Sequence, residues 1–417
     1  MKIKKKKRKR LRTLISWVLV SLMLQFPCYY YLNKKVEEIM APVTRQPIVV
    51  EDLEVEIPGS NLENLQLSFE KDYLAYQENG VLKVYNLTQK KVVFEKAPQG
   101  SGEYDLGVIY YQWLPDRDTL VYYYARTNPN PTTVVEVPIE EPTEQGDLTS
   151  PEPDAVEDPN QANTAPVTTK PKTRKEIRYN NPQLTEIYTL ELPPSDETET
   201  LPDDRYNRDI ESFPAGGKIK QMVVSTFTNL LYLGIENKGN FQLMEIDIMK
   251  NVRNLNHAGE VLTQMAASDK FGTLYAKSKV GKTEKIIALQ GWKRETISAD
   301  PNDIILGNRE GTLYLGTVQD NNLVQVRKAK ENSEDKDLKF ETIWEGSIPY
   351  NELKGILVGI QNEIILYNDQ AAYIIEQGKD TKIELNGEEN IISSDGVEVV
   401  QVTRTGTSTL VKLYSLR

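Results

Sequence analysis

A leucine followed by β-forming residues returns along this chain at a nearly fixed spacing: Leu74-Ala75-Tyr76, Leu120-Val121-Tyr122, Leu231-Tyr232-Leu233, Leu274-Tyr275-Ala276 and Leu313-Tyr314-Leu315. The intervals between the leucines are 46, 111, 43 and 39 residues. The interval of 111 holds one long insertion, and removing about 65 residues from it restores the period. Two weaker returns follow, at Ile364-Ile365-Leu366 and Val397-Glu398-Val399. A unit of this length cannot bury its own apolar face, so repeats of it must stack on one another.

The content of one unit is legible near the start of the series. Leu65-Gln66-Leu67-Ser68-Phe69 alternates and Tyr73-Leu74-Ala75-Tyr76 follows. Asn79-Gly80 is a two-residue hairpin signal, after which Val81-Leu82-Lys83-Val84-Tyr85 and Lys91-Val92-Val93-Phe94-Glu95 complete a four-stranded meander. Four strands in each of several such repeats predict an all-β fold, a β-propeller. Seven blades are expected, starting near Leu62, Tyr104, Ile219, Val261, Asp303, Lys354 and Glu389, with six and eight as the alternatives. The last start leaves room for only three strands before Arg417, while Ile48-Val49-Val50-Glu51-Asp52-Leu53-Glu54-Val55-Glu56-Ile57 is a spare strand ahead of the first blade. Pairing the two would close the ring and remove both exposed edges.

The insertion, residues 127–182, carries ten prolines and few large apolar residues; it is acidic in its first part and basic in its last. Such composition cannot offset the entropy of ordering, so it is expected to be disordered, either a tolerated loop expansion or an interaction arm. Residues 195–209 and 328–339 read as long blade loops.

One repeat also carries a resemblance. Trp113-Leu114-Pro115-Asp116, followed by Leu120-Val121-Tyr122, resembles the repeat of TolB-like and WD40-like propellers, where a Trp-x-Pro-Asp turn leads into a Leu-x-Tyr strand. Phe69-Glu70-Lys71-Asp72 keeps the outline, and no blade has the Trp-Asp ending of the WD40 group. The resemblance implies an architecture for residues 46–417 and no function, because propellers host scaffolds, hydrolases and lyases alike.

The N-terminal end obeys different rules. Nine of the first twelve residues are basic, and without them 50 − 9 = 41 basic residues face 61 acidic ones, a balance of −20 hidden inside the overall −11. Residues 13–32 contain no charge, enough for a helix spanning ~30 Å of hydrocarbon, with Trp17 and Tyr29-Tyr30-Tyr31 near its ends. The run ends in Phe26-Pro27-Cys28-Tyr29, which offers neither small residues for signal cleavage nor a lipoprotein box. Expected, therefore, are a basic cytoplasmic tail (1–12), a signal-anchor helix (13–32), a juxtamembrane linker (33–45) and an extracytoplasmic propeller (46–417) in a single-pass membrane protein. The outer part has no cysteine, as is common in bacterial extracytoplasmic domains.

Little in the sequence specifies chemistry. One histidine and one cysteine leave no disulfide framework and no His/Cys-rich metal site. Ala276-Lys277-Ser278-Lys279-Val280-Gly281-Lys282-Thr283 fits a loosened phosphate-binding loop, but strand-like residues follow it where a helix is required, so a hairpin turn is expected. His257 lies in a loop between blades. Asp269, Asp300 and Asp303 fall near strand ends, where funnel carboxylates would act in a hydrolase or lyase. The tyrosine runs Tyr110-Tyr111 and Tyr122-Tyr123-Tyr124 are expected to pack between blades, because neighbours in a strand face opposite ways. No catalytic, cofactor-binding or metal residue is assigned, and no cofactor. The expected function is a non-catalytic scaffold or sensor for a protein or cell-envelope component, with the funnel enzyme as alternative. The acidic surface argues against nucleic acid, and the oligomeric state is left open.

Overall fold

The computed structural model describes residues 52–138 and 173–417, apart from 196, 198–199, 248 and 332–337, together with scattered positions between Trp17 and Lys34. The basic tail, most of the uncharged run and of the linker, and the centre of the insertion (139–172) lie outside the described residues. The chain divides into two units, Met1–Ile48 and Val49–Arg417. In the first, the described residues from Trp17 to Lys34 are helical, and among the described residues no helix is long and apolar enough to cross a membrane.

The second unit opens with β1 (Leu53–Pro58) and then builds blades in chain order. Blade 1 is β2 (Glu63–Leu67), β3 (Tyr73–Glu78), β4 (Val81–Asn86) and β5 (Lys91–Lys96). Blade 2 is β6 (Gly107–Trp113) and β7 (Thr119–Thr127), then a two-stranded ribbon, β8 (Thr132–Pro138) with β9 (Thr173–Tyr179), and then β10 (Gln183–Glu191) and β11 (Asp203–Asp209). Blade 3 is β12 (Lys218–Ser225), β13 (Leu230–Asn237), β14 (Asn240–Ile246) and β15 (Val252–Asn254). Blade 4 is β16 (Glu260–Ala267), β17 (Leu274–Val280), β18 (Thr283–Gln290) and β19 (Lys293–Ser298). Blade 5 is β20 (Asp303–Arg309), β21 (Thr312–Gln319), β22 (Asn322–Lys330) and β23 (Glu341–Pro349). Blade 6 is β24 (Gly355–Val358), β25 (Ile364–Tyr367), β26 (Ala371–Glu376) and β27 (Lys379–Glu384). Blade 7 takes β28 (Glu389–Ile392), β29 (Glu398–Arg404) and β30 (Ser408–Ser415), with β1 as its fourth strand in the order β1-β30-β29-β28.

The second unit is thus an all-β, seven-bladed propeller closed by its N-terminal strand, as the spare-strand argument requires. Every leucine of the repeat falls on the second strand of its blade. Asn79 and Gly80 take positive φ (52° and 78°), as the hairpin between β3 and β4 demands. Three expectations need correction. Residues 203–209, read as loop, are the fourth strand of blade 2; their sequence Asp-Asp-Arg-Tyr-Asn-Arg-Asp lacks alternation because an outermost strand has little to bury. The stretch 328–339 begins inside β22. The insertion, read as disordered over 127–182, is ordered at both ends, where β8 and β9 pair from Thr132↔Tyr179 to Pro138↔Thr173.

The core is a series of layers between neighbouring blades. Tyr122 and Tyr124 pack toward blade 1 beside Val84 and Leu82, while Tyr123 packs toward blade 3 beside Met222 and Leu233. Successive tyrosines therefore serve opposite neighbours, as strand alternation predicts. Glutamines on inner strands add polar pins. Gln66 donates to the Tyr111 carbonyl (3.0 Å), Gln221 to the Met265 carbonyl (2.9 Å), and Gln264 accepts from the Ile305 amide (3.0 Å). Each sits just past a register shift in its strand, and a bulge re-aims the side chain.

Candidate functional site

Antiparallel order divides the turns of the second unit between two faces. Turns joining first to second and third to fourth strands emerge on one face, here the inner-turn face. Turns joining second to third strands, and the links between blades, emerge on the other, the link face.

The seven first-to-second turns are tied together all the way round. The Glu70 amide donates to Asp118 (2.8 Å) between blades 1 and 2, and Arg117 donates to Asn229 (3.4 Å) between blades 2 and 3. Ser225 donates to the Ser268 carbonyl (2.8 Å), and Asp269 accepts the Glu310 and Gly311 amides at 2.7 and 2.9 Å. Arg309 donates to the Val358 carbonyl (3.2 Å), and the Ile360 amide to the Asp395 carbonyl (2.8 Å). Across the closing junction, Lys71 Nζ pairs with Asp395 at 2.8 Å and also with Glu398, all three side chains being at most 9% exposed. The Trp113-Leu114-Pro115-Asp116 turn leads directly into Arg117 and Asp118, which serve two successive junctions.

Of the carboxylates that sequence placed near the funnel, only Asp269 belongs to this ring; Asp300 lies in the link between blades 4 and 5, and Asp303 at the end of that link, where β20 begins. Asp269 is the clamp just described. Asp303 is 1% exposed, paired with Arg327 at 2.6 Å and bonded by Thr317 and Ser298. Asp300 accepts from the Asn302 amide (2.9 Å) within its own turn. The structure does not bring the three together as one constellation; each is tied to separate backbone or side-chain partners. Glu70, Asp72 and Asp118 do converge, with oxygens within 4.8 Å of one another, an arrangement that could hold a metal ion. Burial is the main reason Asp118 is raised to about 6; bonds from Glu70 and Ser68 oppose the rise, and the charges of Glu70 and Asp72 add to it. The residues 276–283 form the β17–β18 hairpin, with Gly281 at φ 60°, so the backbone makes a turn and no phosphate loop. His257 is exposed in the link to blade 4, its amide donating to Glu260 at 2.9 Å, beside a link-face cleft of about 460 Å3 that Asn237, Phe241 and Asn254 help to line.

Two exposed apolar surfaces were not singled out by sequence. On the ribbon, Val134 (61%), Ile177 (60%) and Tyr179 (86%) are exposed, and the register puts all three on one face of the β8–β9 pair. The ribbon leaves blade 2 at a second-to-third turn, hence from the link face. On the inner-turn face of blades 3 and 4, Phe227 (56%), Met249 (77%) and Trp292 (80%) are exposed on three separate turns. Those turns border a cleft of about 440 Å3 lined by Thr228, Asp247, Asn251, Phe271 and Gly291. The Arg253 guanidinium lies 5.0 Å from the Trp292 ring centre and is held by Glu245 through two bonds of 2.6 and 2.9 Å. A lone aromatic beside a turn glycine reads in sequence as ordinary packing; only its exposure marks it.

No protein-family model matches the chain, and no curated protein does. Among solved structures, the β-propeller domain of Myceliophteria thermophila Cps50 (Swd1) is similar at 12% identity, over 88% of this chain and 100% of that one, with a TM-score of 0.47. The Dos1 propeller is similar at 12% identity over 86% and 79%, with a TM-score of 0.45. TolB from Acinetobacter baumannii is similar at 7% identity over 88% and 81%, with a TM-score of 0.36. The assignment to the seven-bladed β-propellers rests on this chain's own sheet order and closure, in the WD40-like and TolB-like arrangement that the repeat at Trp113 resembles.

Proposed function

We propose that this chain is a membrane-anchored extracytoplasmic propeller that acts as a non-catalytic scaffold, binding a protein or a cell-envelope component. The observation that carries the binding reading is the β8–β9 ribbon. An isolated two-stranded ribbon is marginal in water, and this one holds Val134, Ile177 and Tyr179 in solvent on one face while, among the described residues, no strand pairs with either outer edge. Such a ribbon suits a partner that covers the apolar face or adds a strand to an edge. The anchoring reading is supported by the uncharged residues 13–32 behind nine basic residues, a pattern that keeps the N-terminus inside and sends the rest across.

The test is crosslinking and affinity purification of the full-length chain from native membranes, beside a Val134→Ser/Ile177→Ser/Tyr179→Ser variant. A partner recovered with the native chain and lost with the variant is expected. Equal recovery with both would remove the ribbon from the binding surface. Alkaline extraction tests the anchor separately: the chain should stay with the lipid.

A further inference from the structure

We infer that the inner-turn face of blades 3 and 4 docks on a phospholipid surface, with Phe227, Met249 and Trp292 entering the interface and lysines reaching the phosphates. The inference deepens the membrane-anchored reading and rests on it. Three observations lead to it.

The first is the kind and placement of the side chains. A phenylalanine, a methionine and a tryptophan stand at 56–80% exposure on three turns of two adjacent blades. Tryptophan and phenylalanine are suited to the boundary between hydrocarbon and water, because an apolar body can enter while the backbone stays wet.

The second is charge. Lys250, Lys270 and Lys293 belong to the same set of turns, in a unit that is strongly acidic elsewhere. Three nearby carboxylates accept hydrogen bonds within the protein. Asp247 accepts from the Asn251 amide and side chain (2.8 and 2.9 Å), Asp269 from two amides of blade 5, and Glu245 from Arg253. The three lysines are cations that this face offers to a phosphate plane.

The third is topology. β1 is the outermost strand of blade 7, antiparallel to β30. Fourth strands run from the inner-turn face toward the link face, so the chain enters the propeller at Leu53 on the inner-turn face. The face that carries the three apolar side chains is the one into which the segment from the uncharged run leads. A short tether raises the local concentration of that face at the bilayer, so weak insertion suffices. The ribbon leaves by the opposite face and is free for a partner.

The experiment uses the full chain with Trp17→Phe, which silences the anchor. Trp113 and Trp344 are 6% and 3% exposed, so Trp292 reports the surface. The protein is reconstituted in phosphatidylcholine–phosphatidylglycerol bilayers with and without brominated acyl chains. Expected are a blue shift of Trp292 emission, quenching by bromine and shielding from aqueous iodide. Lys270→Glu/Lys293→Glu should reduce the quenching without altering the fold. Retention on alkaline extraction with no bromine quenching would overturn docking and leave the anchor standing. Shielding from iodide without bromine quenching would assign the face to a protein and also overturn docking. If the chain is instead extracted at alkaline pH, the anchor reading fails. Protein added to preformed vesicles then decides docking on its own, quenching supporting it and its absence overturning it.

Discussion

Two places in the propeller join strands that are far apart in sequence, and they are built in opposite ways. At the closing junction, β1 meets β30 over six register pairs, Val55 and Ile57 are 1% and 0% exposed, and Lys71 is sealed between Asp395 and Glu398. In the ribbon, β8 meets β9 over seven pairs, yet every residue of β9 is exposed and Val134, Ile177 and Tyr179 face water. The register runs without a shift in both. Burial separates them, and with it the work each can do: the first holds the ring shut, while the second keeps its apolar surface for something else.

The comparison breaks most severely when β1 is removed. Deleting residues through Pro58 takes away the burial of Val55 and Ile57, about 3–6 kcal/mol for the two side chains, and exposes the β30 edge. Loss of a cooperative thermal transition, with a rise in light scattering, is expected. Next in size is Lys71→Met, which leaves two buried carboxylates without their cation. A loss of about 3–5 kcal/mol is expected in denaturant titration at neutral pH. Burial already holds Glu398 above the usual carboxylate range, Lys71 opposes the rise, and Asp395 adds to it. A carboxylate whose folded value exceeds its unfolded one binds its proton more tightly in the native state. Its contribution is therefore fully present below the unfolded value and lost as pH rises through the folded one. Part of the Lys71→Met deficit should accordingly return on acidification; a deficit independent of pH would refute the ion-triad account.

Asp118→Asn sharpens the comparison at the neighbouring junction. The amide keeps an acceptor for the Glu70 N–H and removes a group that titrates at about 6 in the fold and 3.8 outside it. Below about pH 4, where both side chains are neutral, stability should differ by less than about 1 kcal/mol, and at neutral pH the variant should be the more stable. The rise in stability between pH 6 and pH 4 that Asp118 supplies should be missing from the variant's curve and so make up the difference between the two. The smallest expected effect belongs to Val134→Ser/Ile177→Ser/Tyr179→Ser, within about 0.5 kcal/mol by thermal unfolding, since exposed side chains contribute little. A large loss there would mean that the ribbon supports the fold.

What could be read in advance follows the same division. The blades were legible because each second strand must bury apolar residues on both sides of the sheet, and that need recurs with the blade. Closure by β1 was legible because a three-stranded last blade leaves an edge. β11 was missed because Asp203, Asp204 and Arg205 sit at the rim, where a strand is held by backbone pairing and shows no apolar period. Ordering at the ends of the insertion was missed because proline and charge dominate its composition, while the pairing of Val134 with Ile177 depends on two segments brought together by β7 and β10. Asp269 and Asp303 looked like funnel groups and are structural acceptors, a difference only their partners reveal. Trp292, Phe227 and Met249 carried no signal at all, because sequence reports residue type and these three matter through position.

The antiparallel seating of β1 has a mechanical consequence. A chain held at its N-terminal side and pulled away from the inner-turn face loads β1 along its own axis. The six pairs from Leu53↔Leu413 to Pro58↔Ser408 then resist together in shear, where pulling across the strand would peel them one at a time. A tether attached there transmits tension into the ring without unzipping the strand that closes it.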